Sequence, residues 1–166
     1  MNRNTFLKMA GGTGLVAASA PLVAFSIGKE EQLDKKVVEE FVSVSHSKMD
    51  VVKSLLEEYP NLINAAHDWK YGDFETGLGA ASHVGHKDLA RFLLEKGAQA
   101  NIFTACLFGE IDIIKPMLLA FPNTLHAKGP HGFTLLHHAQ KGGDEALEVK
   151  EYLESLGATK TKIDLY

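Results

Sequence analysis

The chain has 166 residues, of which 45% are hydrophobic and 23% charged, and this balance excludes both wholesale disorder and a polytopic membrane protein. Its length suits one ordinary domain or a short array of repeats. Lysine and arginine total 17 against 21 acidic residues, so a net charge of −4 offers no general basic surface for nucleic acid. The single cysteine, Cys106, excludes an intrachain disulfide and a zinc–cysteine site.

The N-terminal segment 1–26 has the pattern of a secretory signal, with a charged start, a short apolar middle and small residues at its end. Its only charges are Arg3 and Lys8, and its apolar centre, 15–25, is shorter than the roughly 20 residues of a membrane-spanning helix. The start resembles the bacterial twin-arginine export motif, with Asn4 at the second arginine position. We therefore expect cleavage at the end of the segment and a periplasmic or extracytoplasmic location. The alternative is an uncleaved segment that tethers the protein to the inner membrane.

Beyond this segment the sequence repeats one helical pattern at intervals of 38, 24 and 35 residues. Each copy is amphipathic, and the first carries an apolar stripe at helical spacing: Val51, Val52, Leu55 and Leu56. A shorter segment of small residues precedes each later copy and predicts a second helix, in 77–83, 103–108 and 134–139. Gly85 and Gly97 stand where helices should end in a left-handed residue, and Pro60 and Pro122 stop two of the long helices.

Two groups of residues resemble the ankyrin repeat. Gly132, Thr134, Leu136, His137 and Ala139 match its Gly-x-Thr-Pro-Leu-His-x-Ala signature, with Leu135 at the proline position. A second group in the same pattern is Gly85, His86, Leu89, Ala90, Leu93, Leu94, Gly97 and Ala98. The segments 68–76 and 129–132 are also similar to a group of bacterial ankyrin proteins without assigned activity.

The resemblance implies an all-α fold, an ankyrin-repeat solenoid of about four stacked helix-turn-helix units with no sheet beyond turn hairpins. A linker at 27–36 would precede the repeat domain at 37–158, and a tail at 159–166 would follow it. The expected repeats are 37–66, 67–101, 102–126 and 127–158.

Two features depart from the repeat pattern. The third repeat follows the second by only 24 residues, so it lacks the usual projecting hairpin turn, or finger, and Asn101 must lead directly into its short helix. Pro116 lies inside the third long helix and predicts a kink or a late start there. Cys106 takes the place that Ala81 has in the preceding repeat, and we therefore expect a small buried filler rather than a reactive thiol.

The 8 histidines are the candidates for chemistry, but their sequence context argues against a joint site. Gly85 separates His83 from His86 and breaks the helical face that a metal pair needs. His137 and His138 are adjacent and should point to different sides of their helix. The resemblance implies that His86 and His137 are structural and bond loop backbone. We therefore predict no catalytic residue, no cofactor and no metal site.

The alternative to this view is a small hydrolase or metal-dependent enzyme that uses the histidines. Its distinguishing sign would be three histidine, aspartate or glutamate side chains converging in one pocket. The sequence distributes these residues over separate repeats.

Aromatic residues in the fingers mark the predicted partner surface, because exposed tryptophan and tyrosine are frequent interface anchors. The only tryptophan lies in the long finger of the second repeat, where Gly72 indicates a turn. The candidate partner-binding residues are Trp69, Tyr71, Asp73, Phe74, His131 and Phe133. The alternative is that Trp69 and Phe74 fold back over the short helices around Ala80. The resemblance implies a monomeric, non-enzymatic module that binds another protein, with no nucleic acid and, after signal removal, no membrane.

Overall fold

The computed structural model describes residues 32–166, so the predicted signal segment and the first part of the predicted linker lie outside the described residues. The described part is mostly helical, which confirms the expected all-α class. Its α-helices are α1 (Lys35–Val44), α2 (Met49–Glu58), α3 (Gly77–Val84), α4 (Lys87–Glu95), α5 (Ile102–Leu107), α6 (Ile111–Ala120), α7 (Leu135–Gly142) and α8 (Leu147–Ser155). Single-turn 3-10 helices occupy Pro60–Asn64, Pro122–His126, Pro130–Gly132 and Gly143–Ala146.

The helices pack as four consecutive pairs, α1 with α2, α3 with α4, α5 with α6 and α7 with α8. The first helix of each pair also contacts the first helix of the next pair, so packing runs mainly between neighbours along the chain. One contact departs from this rule, because α3 also touches α7, two pairs further on. This longer-range contact brings the second and fourth pairs together beside the short helix α5.

Side-chain caps explain where the first helices of the later pairs begin. The side chains of Thr76, Asn101 and Thr134 each accept a hydrogen bond from the backbone N–H three residues further on. Gly85 ends α3 in the left-handed conformation, with φ at +82°. The expected late start at Pro116 is wrong, because α6 begins at Ile111 and continues through the proline, which is exposed.

The first finger is a two-stranded antiparallel hairpin, β1 (Ala66–Asp68) and β2 (Phe74–Thr76), with His67 opposite Glu75. Tyr71 and Gly72 form its tip, and both have positive φ, +52° and +85°. The Asp68 carboxylate accepts the Gly72 N–H at 3.0 Å and stabilises this turn.

The last finger has the same tip geometry, with φ of +58° at His131 and +77° at Gly132. Its strand partner is the C-terminal tail, because Phe133 pairs antiparallel with Lys162. The backbone N–H of Ile163 donates to the Gly132 carbonyl at 2.9 Å, and that of Thr134 donates to Thr161 at 3.1 Å. The predicted tail is therefore docked on the last finger.

The apolar core has two parts. One lies around the first two helix pairs and includes Phe41, Leu89 and Leu93, which are fully buried. The other lies around the last two pairs and includes Ile114 and Leu153. Most of the repeating apolar stripe thus faces inward in successive pairs: Val52 and Leu56 of the first stripe are buried, whereas Val51 is exposed, contrary to expectation.

Replacing Leu93 by alanine should lower the free energy of unfolding by about 2–5 kcal/mol, because the side chain is fully buried and its removal leaves a cavity. Urea unfolding followed by circular dichroism measures this change. Leu119 is 77% exposed, and the matched Leu119→Ala control should change stability by less than about 0.5 kcal/mol. Similar losses in the two variants would contradict the inward position of the stripe.

Candidate functional site

Four side chains that are distant in the sequence meet beside the first finger: His46, Glu75, His83 and His131. Each contributes one atom of a kind that binds metals, and these four atoms all lie within 4.8 Å of one another. His46 follows the end of α1, Glu75 is the middle residue of β2, and His83 lies in the last turn of α3. His131 comes from the tip of the last finger. We refer to these four residues as the His–Glu cluster.

The finger geometry explains why Glu75 points inward. Side chains alternate along β2, so Phe74 faces solvent while Glu75, at 1% exposure, is buried. Thr76 then caps α3, and this helix carries His83 to the same place. The last finger reaches the cluster because the third repeat has no finger of its own, and its Pro130–Gly132 turn contacts α3 directly.

The Glu75 carboxylate is the centre of the cluster. Its Oε2 accepts a hydrogen bond from Trp69 Nε1 at 2.8 Å and lies 3.5 Å from His46 Nε2 and 3.4 Å from His131 Nε2. Burial on its own would raise the pKa of Glu75, but the contacts with His83, Trp69 and His46 outweigh burial and lower that pKa. Glu75 is therefore ionised at neutral pH.

Hydrogen bonds fix the tautomers of two of the rings. His131 Nδ1 donates to Asp73 Oδ2 at 2.8 Å, and the other oxygen of this carboxylate accepts the His131 backbone N–H at 2.8 Å. His46 Nδ1 lies 3.2 Å and 3.0 Å from the carbonyl oxygens of Val42 and Ser43. Since these oxygens only accept, both Nδ1 atoms carry the proton. In the neutral rings each Nε2 then carries a lone pair, and these atoms lie 3.5 Å and 3.4 Å from Glu75 Oε2.

His83 meets the other oxygen of Glu75 in an unusual way. Its Nδ1 lies 2.8 Å from Glu75 Oε1, yet the two atoms are not aligned as a hydrogen bond. Both atoms are buried, and neither has a hydrogen-bond partner among residues 32–166. Buried polar atoms are rarely left without a partner, so this pair calls for an explanation, and a cation bound between the two atoms provides one.

Two stacked rings lie beside the cluster, Phe133 just before α7 and His137 on α7. The Phe133 ring stacks on His83, with centroids 5.0 Å apart, and on His137, with centroids 4.0 Å apart. His137 Nε2 bonds the backbone oxygen of His83 at 2.8 Å and ties α7 to α3. His137 thus contacts backbone, as expected of a structural residue, although the carbonyl belongs to helix α3 and not to a loop.

The remaining histidine and cysteine predictions concern residues outside the cluster. His86 Nδ1 accepts the Leu89 N–H at 3.4 Å, so this residue caps α4 as a structural histidine should. His138 points away from His137 and bonds the Thr134 carbonyl at 2.8 Å within the core. Cys106 is fully buried, and burial raises the pKa of its thiol to about 12, as expected of an inert filler.

The six predicted partner residues divide into two groups. Tyr71 and Phe74 are exposed by 87% and 62% and project from the first finger, so Phe74 does not fold back over Ala80. The other four surround or belong to the His–Glu cluster: Trp69, Asp73, His131 and Phe133. Trp69 is half-buried and packs against the first part of the core.

The glycines of the predicted structural motif have the backbone conformation that their positions require. Gly85, Gly97 and Gly132 have φ of +82°, +94° and +77°. Thr134 caps α7 by accepting the His137 N–H at 3.3 Å. These residues therefore lie at turns, at the ends of helices or at a helix cap.

Residues that the sequence distributes over separate repeats thus meet in space. The prediction of no metal site did not anticipate this convergence. Sequence reasoning missed His46 and Glu75 entirely. An acid between Phe74 and Thr76, on the inward side of a finger strand, is the one signal that could have indicated Glu75.

Comparisons with known proteins give one partial similarity and no family assignment. No protein-family model matches the chain. The chain is 38% identical over 81 residues to BTB/POZ domain-containing protein 3 of Schizosaccharomyces pombe. This match covers 46% of the chain and 15% of the yeast protein, so the chain spans a small part of that relative's length.

Within residues 32–166, the helices all fall short of the length and apolar character needed to cross a membrane.

Proposed function

We propose that the chain is an exported, non-enzymatic module of the ankyrin-repeat type, which binds another protein through the side that carries its fingers. Two exposed aromatic side chains of the first finger, Tyr71 at its tip and Phe74 at the start of β2, carry this proposal. Large aromatic residues held on a rigid hairpin lose little entropy on binding, and they are the usual anchors of protein interfaces. The stack of four helix pairs provides the rigid support.

A groove beside the finger gives the partner a place to bind. Its volume is about 310 Å³, and it lies between the two fingers and the first helices of the pairs. Its lining includes Phe74, Phe103, Lys128, Pro130, His138 and Leu165. The partial similarity to a BTB/POZ domain-containing protein is compatible with a role in protein binding.

The alternative of a metal-dependent enzyme gains support from the His–Glu cluster, because its converging side chains are the sign expected for that class. The number of ligands nevertheless favours a non-enzymatic role. Catalytic zinc sites keep three protein ligands and an open position for water, whereas structural sites are closed by four. The cluster offers four.

Substituting both Tyr71 and Phe74 by alanine should remove partner binding and leave the fold intact. The tagged full-length chain, cross-linked in the extracytoplasmic fraction, should capture a defined protein. Loss of two anchors should weaken binding by about 2 kcal/mol or more, roughly 30-fold. The matched control replaces Leu119 and Phe121, which are 77% and 65% exposed at the C-terminal end of α6, and should keep the partner. Equal capture by both double variants would contradict the proposed surface.

Export should be visible at the N-terminus of the mature protein. Sequencing of the protein from the extracytoplasmic fraction should begin at Ile27, because Ala24 and Ser26 provide the small residues that a signal peptidase requires. Intact Met1 in a soluble cytoplasmic fraction would refute export, and intact Met1 in the inner membrane would support the tethered alternative.

A further inference from the structure

We propose that the His–Glu cluster binds one zinc ion, with four ligand atoms: His46 Nε2, His83 Nδ1, His131 Nε2 and a Glu75 carboxylate oxygen. The inference goes beyond protein binding and does not depend on the exposed aromatic pair. It assigns the ion a structural role, as a clamp that joins the end of α1, the first finger, α3 and the last finger.

The donor set and its spacing fit this ion. Zinc binds imidazole nitrogen and carboxylate oxygen at about 2.0–2.2 Å in tetrahedral geometry, which places neighbouring ligand atoms roughly 3.3 Å apart. Glu75 Oε2 lies 3.5 Å from His46 Nε2 and 3.4 Å from His131 Nε2, and Glu75 Oε1 lies 2.8 Å from His83 Nδ1. One ligand atom from each of the four residues lies within 4.8 Å of the others, so small side-chain movements can bring them to this spacing. Imidazole also favours zinc over magnesium or calcium, which prefer oxygen ligands.

Outer contacts already orient three of the four ligands. Asp73 holds the Nδ1 proton of His131, and backbone carbonyls hold that of His46, so both Nε2 lone pairs are free to bind a metal. Trp69 Nε1 donates to Glu75 and fixes the plane of the carboxylate. Such carboxylate–histidine and carbonyl–histidine pairs are the usual outer shell of zinc sites.

A metal-free network of protonated rings around Glu75 explains the arrangement less well. In such a network, His83 Nδ1 would donate to Glu75 Oε1, but these buried atoms lie 2.8 Å apart without hydrogen-bond alignment. If the rings of His46 and His131 were neutral instead, each Nε2 would face the same carboxylate without a proton to donate. A cation between the four side chains satisfies all of these atoms at once.

The site takes four protein ligands from three predicted repeats. It is therefore closed, and a bound ion would join these repeats to one another. His46 belongs to the first predicted repeat, Glu75 and His83 to the second, and His131 to the fourth. An ion that binds only the assembled site stabilises the fold that assembles it. Zinc should therefore raise the melting temperature of the chain.

The experiment titrates the metal-free full-length chain with zinc in competition with a chromophoric indicator. The wild type should bind one ion. Glu75→Gln should bind zinc at least roughly 100-fold more weakly, since the amide keeps the shape of the side chain but loses the charged ligand. His126 is an exposed histidine outside the cluster, so the matched control His126→Asn should bind like the wild type. Cobalt in place of zinc should give the strong visible absorption of a four-coordinate site, and Glu75→Gln should lose it.

Asp73→Asn tests the positioning of His131 without removing a ligand. Its amide oxygen can still accept the His131 backbone N–H, but its NH2 group cannot accept the Nδ1 proton. The ring should then change tautomer and lose its Nε2 lone pair, which weakens zinc binding by roughly 10–100-fold while the helical signal is kept. If Glu75→Gln does not fold, His131→Asn serves as the ligand variant. Asparagine tolerates the positive φ of this position, so the substitution should not strain the backbone.

Thermal melting supplies an independent readout. Zinc at a hundredfold excess over its dissociation constant should raise the midpoint by about 5 °C or more for the wild type and the control, and not for Glu75→Gln or His131→Asn. Failure of the wild type to bind zinc at micromolar concentration would overturn the proposal. Equal zinc affinity in the wild type and the cluster variants would also overturn it, because the ion would then be on the surface. Neither result bears on partner capture by Tyr71 and Phe74.

Discussion

Replacing Gly109 by alanine should destabilise the fold by about 3 kcal/mol or more, because two separate costs add at this residue. Gly109 has φ of +71°, and a side chain in this conformation is strained. An added Cβ would also stand 2.0 Å from the backbone oxygen of Glu145, in the turn that connects the two helices of the last pair. The backbone at Gly109 and the backbone at Glu145 cannot move apart without separating the third and fourth helix pairs.

Gly97 provides the matched control for this substitution. Its φ is +94°, but an added Cβ would meet no heavy atom within 4 Å. Gly97→Ala should therefore cost only the conformational strain, about 1 kcal/mol. Urea unfolding of the two variants measures the difference, and equal losses would contradict the close packing of the Gly109 turn.

The fold should lose about 3 kcal/mol of stability through His138 as the pH falls from about 6.5 to about 4. This residue is fully buried on α7, and burial lowers the pKa of its ring to about 4, although the bond to the Thr134 carbonyl partly opposes the shift. In the unfolded chain the same ring takes up a proton near pH 6.5. The unfolded state therefore binds more protons in this interval, and lower pH favours unfolding.

His138→Leu, which cannot titrate, isolates this contribution. The difference in unfolding free energy between the wild type and His138→Leu should change by about 3 kcal/mol between pH 6.5 and 4, while other groups contribute equally to both proteins. His126→Leu, an exposed histidine variant, should follow the wild type across the same range. A pH-independent difference between the wild type and His138→Leu would contradict the burial of an uncharged ring.

Local signals account for what the sequence could predict about the fold. Apolar stripes at helical spacing, with prolines and glycines at the ends, predicted the helices closely; α2 ends at Glu58, just before Pro60. Gly85 was assigned to a helix end and has this role, whereas Thr134 was placed inside a helix and instead caps its start. These features depend on contacts within a few residues, so a single sequence contains the information.

The site depends on contacts that no local pattern contains. His131 lies 58 residues from Asp73, and the two meet only because the third repeat lacks a finger and the last finger occupies the adjoining space. The 24-residue spacing revealed the missing finger but not which residues would take its place. Likewise, β2 has three residues, too few to display the alternation that buries Glu75.

Trp69 illustrates the same limit for a single residue. In the sequence it stands among exposed finger residues and resembles an interface anchor, whereas in the structure its N–H orients the buried carboxylate of Glu75. An aromatic side chain in a turn can serve either purpose, and the choice depends on whether a buried acceptor lies within reach. Tyr71, two residues further on, has none and remains exposed.

Anomalous diffraction at the zinc absorption edge, from crystals grown with one equivalent of zinc, tests the clamp most directly. The account predicts one dominant peak enclosed by His46, Glu75, His83 and His131, at about 2.0–2.2 Å from each ligand atom. A cluster without a peak, or zinc found only at surface carboxylates such as Glu145 or Glu148, would contradict it.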